Sequence, residues 1–213
     1  MMSKVTIIDY GVGNLLSAAR ALEFCGATVE VTSDPDRICR AERLVLPGVG
    51  AFGDCIKELE SRLIDDSIKE FVLSGRPLLG ICVGMQILFE RGTEFGEHSG
   101  LGLLPGVVLE IPRLKEDGKL RKIPHIGWSP LVLGAKETQG SGILSATRAG
   151  DAVYFVHSFG AVPTYTESTI ATVDYQATTI CAAVERENIS GCQFHPEKSG
   201  VVGLRILDRF LRL

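Results

Sequence analysis

One stretch of the sequence decides the fold, and it reads PLLGICVGMQ at residues 77–86. Its first half is short and apolar, as expected of a buried strand, and a helix is predicted to begin near Gly84. Cys82 stands between Gly80 and Gly84 in a G-x-C-x-G pattern, the cysteine form of a nucleophile elbow. Glycines suit such a turn because its backbone is strained and its neighbours pack too closely for side chains. The segment predicts an α/β fold that carries a nucleophilic thiol.

Among six cysteines, we expect only Cys82 to be reactive. The turn places its sulfur at the start of the predicted helix, where the helix dipole favours an anion. A buried structural cysteine, the alternative, would need neither flanking glycine. The other five lack such a setting, and most of them are expected to be small buried side chains: Cys25, Cys39, Cys55, Cys181 and Cys192. No C-x-x-C spacing occurs, so no disulfide framework is expected.

The alternation of strand and helix extends through the first half of the chain. Apolar, β-branched runs at residues 4–9, 28–31 and 43–46 predict strands, and apolar residues at helical spacing predict helices, including one run from Ile56 to Phe71. Such alternation implies right-handed β-α-β units and a mostly parallel sheet with both faces covered.

The second half is richer in β-structure and ends in a helix. Runs at 151–156, 170–173, 180–184 and 190–194 predict antiparallel additions at a sheet edge. Val202, Ile206 and Phe210 share one face of a final amphipathic helix. We therefore expect one domain over residues 1–213, a three-layer α/β fold with a mostly parallel open sheet and antiparallel edge additions.

Length and charge exclude several classes of protein. The 213 residues have room for one sizeable domain, and 22 basic against 26 acidic residues give a net charge of −4. The basic residues are scattered, so nucleic acid is not an expected partner. The longest uncharged stretch, 152–166, is too short and polar to span a membrane, and a strand at residue 4 leaves no room for a signal peptide. We expect a cytoplasmic protein without a metal or cofactor.

A thiol nucleophile needs a base, and the candidates are His98, His125, His157 and His195. The first lies in a polar loop, and the next two follow apolar or β-rich residues without a nearby carboxylate, as buried, hydrogen-bonded histidines do. His195 differs because Pro196 holds it extended, so that Glu197 can turn back to the imidazole. A Cys-His-Glu triad is thereby predicted.

Two glycine-rich turns are candidates for binding an anion. The backbone N–H of Val83 follows the nucleophile, and residues 47–50 can present a second donor, although an ordinary β-α turn explains that segment equally well. Gly11 and Gly13 also follow a strand, as in a dinucleotide-binding fingerprint. Leu16 occupies the place of the third glycine, so a tight turn is the favoured interpretation.

Five ordered motifs lie at residues 9–14 (DYGVGN), 47–52 (PGVGAF), 80–86 (GICVGMQ), 155–158 (FVHS) and 193–199 (QFHPEKS). Together they resemble the class I, or triad, glutamine amidotransferases, and within them the glutaminase subunits of imidazole glycerol phosphate synthase. The resemblance runs essentially from end to end. It implies that glutamine is hydrolysed through a γ-glutamyl thioester on Cys82, with His195 as proton carrier and Glu197 as its orienting group.

The resemblance also implies how substrate and partner are bound. Val49 and Val83 would supply oxyanion N–H groups, and glutamine would be held by Gly50, Gln86, Glu94, Ser158 and Phe159. Ammonia would pass to a (β/α)₈-barrel cyclase subunit in a heterodimer, which makes imidazole glycerol phosphate and an aminoimidazole carboxamide ribotide by-product in histidine biosynthesis. The implied docking face carries Asn14, Arg20, Trp128, Tyr154 and Lys198.

Three positions depart from the pattern of the family. Val83 stands where many members have Leu, Ser129 replaces a frequent Asn, and Phe159 replaces a frequent Tyr. The departure at Val83 matters little, because its main chain supplies the oxyanion donor. Ser129 and Phe159 lie in segments expected to face substrate or partner, and they leave open a glutaminase subunit of a paralogous synthase. A stand-alone γ-glutamyl hydrolase on the same scaffold is a further alternative. A non-catalytic regulatory subunit is disfavoured, because Cys82, His195 and Glu197 are all present.

Overall fold

Strands and helices alternate early in the chain, and strands dominate later. The computed structural model describes residues 3–115, 117–134 and 142–213. Its strands are β1 Lys4–Ile8, β2 Thr28–Thr32, β3 Leu44–Gly48, β4 Leu78–Cys82, β5 Phe89–Gly92, β6 His98–Ser99, β7 Leu104–Glu110, β8 His125–Pro130, β9 Val132–Leu133, β10 Ala152–His157, β11 Phe159–Pro163, β12 Thr169–Asp174, β13 Thr179–Arg186 and β14 Ile189–Cys192. Its helices are α1 Leu15–Phe24, α2 Pro35–Arg40, α3 Phe52–Ser61, α4 Ile64–Leu73, α5 Val83–Gln86 and α6 Gly200–Leu211, with 3-10 turns at Thr166–Ser168 and Pro196–Lys198.

The main sheet has eight strands in the order β2-β1-β3-β4-β14-β13-β12-β9. The pairs from β2 through β14 are parallel, and β13, β12 and β9 continue the sheet antiparallel. Helices α1 and α6 pack on each other, whereas α2 and α3 pack on α4. The predicted α/β architecture, a mostly parallel sheet with antiparallel additions at one edge, is confirmed.

Two of the predicted edge strands lie elsewhere. The run at 190–194 overlaps β14, which is inside the sheet and parallel to β4. The run at 151–156 overlaps β10, which pairs with β8 in a separate two-stranded sheet. The strands β11, β7, β5 and β6 form a further sheet of four strands. Composition identifies these runs as strands, but pairing depends on contacts distant in sequence, so their placement was predicted wrongly.

The helical run predicted from Ile56 to Phe71 is two helices. Leu63 separates them with a left-handed φ of 56°, and its side chain is 74% exposed rather than buried. A further helix, α2, was not predicted, although its start carries a standard signal. Asp34 accepts hydrogen bonds from the N–H groups of Asp36 and Arg37, and Pro35 occupies the first turn. None of the helices in the described residues is long and apolar enough to cross a membrane.

Close packing at the ends of β3 and β4 fixes the position of Cys82. Every residue of β4 is buried. A Cβ atom on Gly84 would overlap the carbonyl oxygen of Leu46, and one on Gly80 would lie 2.8 Å from the carbonyl oxygen of Gly84. Only glycine fits at either place, because the turn lies directly against its own helix and the neighbouring strand.

Candidate active site

Cys82 ends β4 in a strained conformation, with φ 56° and ψ −115°. Such angles are costly for a residue with a side chain, and they occur where a site needs a group aimed in one direction. The residue is 4% exposed. The helix that follows has only the four residues Val83–Gln86, so the dipole effect expected from the sequence is confined to a single turn.

His195 lies beyond β14, on the loop that leads into the 3-10 turn Pro196–Lys198. Its Nδ1 is 2.8 Å from Oε1 of Glu197, and the two side chains are 3% and 2% exposed. The hydroxyl of Ser199 donates to the His195 carbonyl at 2.6 Å, and the His195 N–H donates to the Tyr154 carbonyl at 3.0 Å. The imidazole is therefore held from the main chain and from Nδ1, and Nε2 is the nitrogen available for proton transfer.

The proton on His195 is held by its neighbours. Burial opposes protonation, but hydrogen bonds with Cys82 and Glu197 outweigh it and raise the pKa of His195 to about 9. The Cys82 sulfur on one side and the Glu197 carboxylate on the other both favour the imidazolium. At neutral pH the arrangement supports a protonated His195.

His125 and His157 do not fit the role of base. Burial lowers the pKa of each to about 4. The two rings contact each other, with Nδ1 of His125 at 3.1 Å from Nε2 of His157, and Nδ1 of His157 at 2.8 Å from the Phe159 carbonyl oxygen. Both ring nitrogens of His157 are therefore engaged. His98 lies in the short strand β6 beside Gly53.

A cavity of about 180 Å³ opens over the thiol. It brings together Cys82, His195, both expected oxyanion residues and all five expected glutamine-binding residues. Its walls consist of Val49, Gly50, Cys82, Val83, Gln86, Glu94, Val156, His157, Ser158, Phe159 and His195. Sequence reasoning missed Val156 and His157 as wall residues, although both lie in the FVHS motif. Within the described residues, no cluster of three or more His, Cys, Asp or Glu side chains is arranged to hold a metal.

Comparison with known proteins agrees with this geometry. Residues 6–212 match the family model of class I glutamine amidotransferases. The chain belongs to this family. It is 50% identical to "Imidazole glycerol phosphate synthase subunit HisH 1" of Legionella pneumophila (strain Lens) over the full length of both chains. It is 45% identical to the HisH subunit of Syntrophotalea carbinolica, over 97% of this chain and 98% of that one.

Solved structures show the same fold at lower identity. PurLQS from Thermotoga maritima matches with a TM-score of 0.73 and 22% identity, over 100% of this chain and 99% of that chain. A glutamine amidotransferase from Thermotoga maritima matches with a TM-score of 0.61 and 15% identity, over 92% of this chain and 77% of that chain. The chain is thus a glutamine amidotransferase in both sequence and fold.

Two polar side chains in the wall of the cavity, Gln86 and Glu94, form hydrogen bonds with other residues of the protein. The amide nitrogen of Gln86 donates to the Phe159 carbonyl and to Oε1 of Gln193, each at 2.9 Å. Oε2 of Glu94 accepts from the Phe52 N–H at 2.9 Å, at the start of α3. Gln193, fully buried, places its amide nitrogen 3.9 Å from the Cys82 sulfur. Gln193 was missed as a site residue, although it begins the QFHPEKS motif.

The side chains of Tyr10 and Cys55 contact the main chain of the segment that carries Val49. The hydroxyl of Tyr10 donates to the Pro47 carbonyl at 2.6 Å, and the thiol of Cys55 is 3.5 Å from the Val49 carbonyl oxygen. Gly50 then turns with φ +92°, a conformation natural to glycine. Val49 is 38% exposed at the cavity mouth.

Four of the five expected docking residues surround the triad loop. The Trp128 and Tyr154 rings pack edge to face with centroids 6.1 Å apart, and Trp128 is 57% exposed. Asn14 lines a small recess shared with His195 and Glu197, and Lys198 is exposed. The remaining residue, Arg20, is exposed further along α1.

Proposed function

We propose that this amidotransferase is the glutaminase subunit of an imidazole glycerol phosphate synthase, acting in the cytoplasm as one glutaminase domain over residues 1–213. It hydrolyses glutamine to glutamate and ammonia without a metal or cofactor. The observation that carries the proposal is the placement of His195 between Cys82 and Glu197 at the wall of the cavity of about 180 Å³. The full-length similarity to HisH subunits supports the choice of synthase.

In the first half-reaction, the Cys82 thiolate attacks the γ-carbonyl carbon of glutamine. The oxygen that becomes negative is stabilised by the N–H groups of Val83 and Val49. The His195 imidazolium gives its Nε2 proton to the leaving nitrogen as the carbon–nitrogen bond breaks. Ammonia leaves, and a γ-glutamyl thioester remains on Cys82.

In the second half-reaction, neutral His195 accepts a proton from water. The resulting hydroxide attacks the thioester carbon, and collapse of the tetrahedral species releases glutamate and restores the thiolate. His195 is again protonated. Glu197 accepts the hydrogen bond from Nδ1–H throughout, so that Nε2 faces the reaction.

The rest of the cavity supplies the contacts that hold glutamine. Glu94 is the carboxylate of the cavity wall and is suited to the α-ammonium group of the substrate. The main chain at Gly50, Ser158 and Phe159, with the side chain of Gln86, would bind the remaining polar groups. A substrate bound in this way presents its amide to Cys82.

Ammonia released in the cavity must reach an acceptor if it is to be used in a synthesis. We infer a heterodimer with a (β/α)₈-barrel cyclase that docks over Trp128, Tyr154, Asn14, Lys198 and Arg20. In the absence of the cyclase, the segment at 47–50 would rest with the Val49 N–H turned away, leaving Val83 as the sole oxyanion donor. Loss of one such donor costs about 2.7 to 4 kcal/mol, or roughly 10² to 10³ in rate.

The test is steady-state glutaminase activity of the isolated chain, of its complex with the cyclase, and of the complex with the cyclase's ligand, with Cys82→Ala as the blank. We expect turnover to rise by roughly 10² or more across the series. An isolated chain that is already fully active would identify a stand-alone hydrolase instead. Failure of the cyclase to bind, with activation by another synthase, would identify a paralogous subunit.

A further inference from the structure

A chain of hydrogen bonds connects the outer strand β8 with the wall of the cavity. Oγ of Ser129 is 2.9 Å from Nε2 of His125, whose Nδ1 is 3.1 Å from Nε2 of His157. Nδ1 of His157 is 2.8 Å from the Phe159 carbonyl oxygen, which also accepts from Gln86 at 2.9 Å. The catalytic steps derived above use neither Ser129 nor His125.

The protons in this series of hydrogen bonds have only one consistent arrangement when the rings of His125 and His157 are neutral. A carbonyl oxygen only accepts, so Nδ1 of His157 carries the proton and Nε2 of His157 is an acceptor. Nδ1 of His125 must then donate to it, which makes Nε2 of His125 an acceptor. The hydroxyl of Ser129 is therefore the donor at the outer end. Burial keeps both imidazoles neutral, since it lowers the pKa of each to about 4.

Packing holds the rings in this arrangement. The His125 ring stacks on Phe155 at 4.7 Å and on Tyr175 at 4.0 Å between centroids. Residues 125 and 157 also face each other in the β8–β10 register. Because strand side chains alternate between faces, His125 and Ser129 share one face of β8, and the exposed Trp128 lies on the other.

The series of hydrogen bonds ends at the carbonyl group of Phe159. The Ile111 N–H donates to the Ser158 carbonyl at 2.8 Å, so the neighbouring pair Phe159–Glu110 is a non-hydrogen-bonded pair of the β11–β7 ladder. The polar groups of Phe159 therefore point away from β7. Its carbonyl oxygen has two lone pairs, and His157 and Gln86 occupy both.

We propose that Ser129 and His125 are positioning residues for glutamine binding. The hydrogen bond from Ser129 to His125 and the one from His125 to His157 hold the Phe159 carbonyl in place, and this sets the direction of the adjacent main-chain groups that face the substrate. The proposal rests on the proposed glutaminase function. These hydrogen bonds act on the binding of glutamine rather than on the proton-transfer groups. Weakening them should therefore raise KM and leave kcat nearly unchanged.

The test uses two isosteric pairs in the complex with the cyclase: Ser129→Thr with Ser129→Val, and His125→Asn with His125→Leu. Within each pair the size is matched, and only the first member retains a donor. We expect KM for glutamine to be about 2- to 12-fold higher for the Val and Leu variants than for their partners, the effect of one net hydrogen bond. Ser129 is only half-buried, so its variants should fold, and the Ser129 pair keeps the test valid if the variants of buried His125 fail to fold.

Histidine ¹⁵N spectra of the wild-type chain provide the independent readout. Both His125 and His157 should be Nδ1–H tautomers at pH 7. A wild-type chain with an Nε2–H tautomer at either ring would overturn the proposal, as would equal KM values within both pairs in an active complex. A wild-type complex that hydrolyses no glutamine fails the proposed function instead, so the two failures are distinguishable.

Discussion

The charge of Glu197 can be removed without changing its shape, by Glu197→Gln. In the structure, Oε1 of Glu197 accepts from Nδ1 of His195 at 2.8 Å, and Oε2 is buried without a hydrogen-bond partner. A glutamine here would keep its oxygen toward Nδ1–H, because the opposite orientation would set one donor against another. The tautomer of His195 is thus retained, and the variant removes the charge while placing the amide nitrogen at the buried position of Oε2.

The expected loss follows from the difference between two kinds of hydrogen bond. A bond to a charged group contributes about 1.5–3 kcal/mol, and a neutral one about 0.5–1.5 kcal/mol. The difference of about 1–1.5 kcal/mol corresponds to roughly a tenfold loss in kcat. The pH profile should change as well. His195 must be protonated to release ammonia, so activity falls as pH rises through its pKa of about 9. Removal of the carboxylate lowers that pKa and moves this limb to lower pH.

The assay is kcat against pH at saturating glutamine, for wild type and Glu197→Gln in complex with the cyclase. Titration of the substrate affects both proteins equally, so the difference between the curves reports the enzyme. A loss as large as that of a base deletion would mean that the tautomer was lost. An unchanged kcat together with an unmoved alkaline limb would refute the role given to Glu197.

Two further predictions concern the base and the elbow. His195→Ala should lower kcat roughly 10³-fold or more, whereas His98→Ala should leave kcat within about twofold. Both are measured as glutaminase turnover in the complex. Equal losses would contradict the assignment of His195 as the base. Gly84→Ala should lower the free energy of unfolding by about 1–3 kcal/mol or more in a urea titration, because its Cβ would overlap the Leu46 carbonyl. Gly134→Ala, whose Cβ has its nearest neighbour at 3.4 Å, is the control, and an equal effect at both positions would count against the packing argument.

The turn at Cys82 and the loop that carries His195 and Glu197 could be predicted from the sequence, because the residues that define each lie close together in the chain. Cys82 lies between two glycines whose need is steric, and Glu197 lies two residues from the histidine that it contacts. The strand–helix alternation of the first half was readable for a similar reason, since hydrophobic period and turn residues are local signals.

Other features depend on contacts across the fold. Nothing near residue 151 indicates that β10 pairs with β8 rather than with the main sheet. Gln193 was overlooked because its importance comes from Gln86 and Cys82, more than a hundred positions away. The break at Leu63 was hidden because its apolar side chain fits a helical pattern while its backbone is left-handed. The helix α2, in contrast, carried a visible capping signal and was simply missed.

The most direct test of Cys82 as the nucleophile is to map the site of reaction with a glutamine-like diazoketone. Burial raises the pKa of Cys55 to about 11 and that of Cys181 to about 12, so these thiols should stay protonated and unreactive at pH 8. The complex with the cyclase is treated with the reagent, digested and analysed by peptide mass spectrometry, with excess glutamine as competitor. We expect one adduct, on Cys82, that glutamine suppresses and that parallels the loss of glutaminase activity. An adduct on another cysteine that parallels inactivation, or full activity in Cys82→Ala, would contradict this role of Cys82.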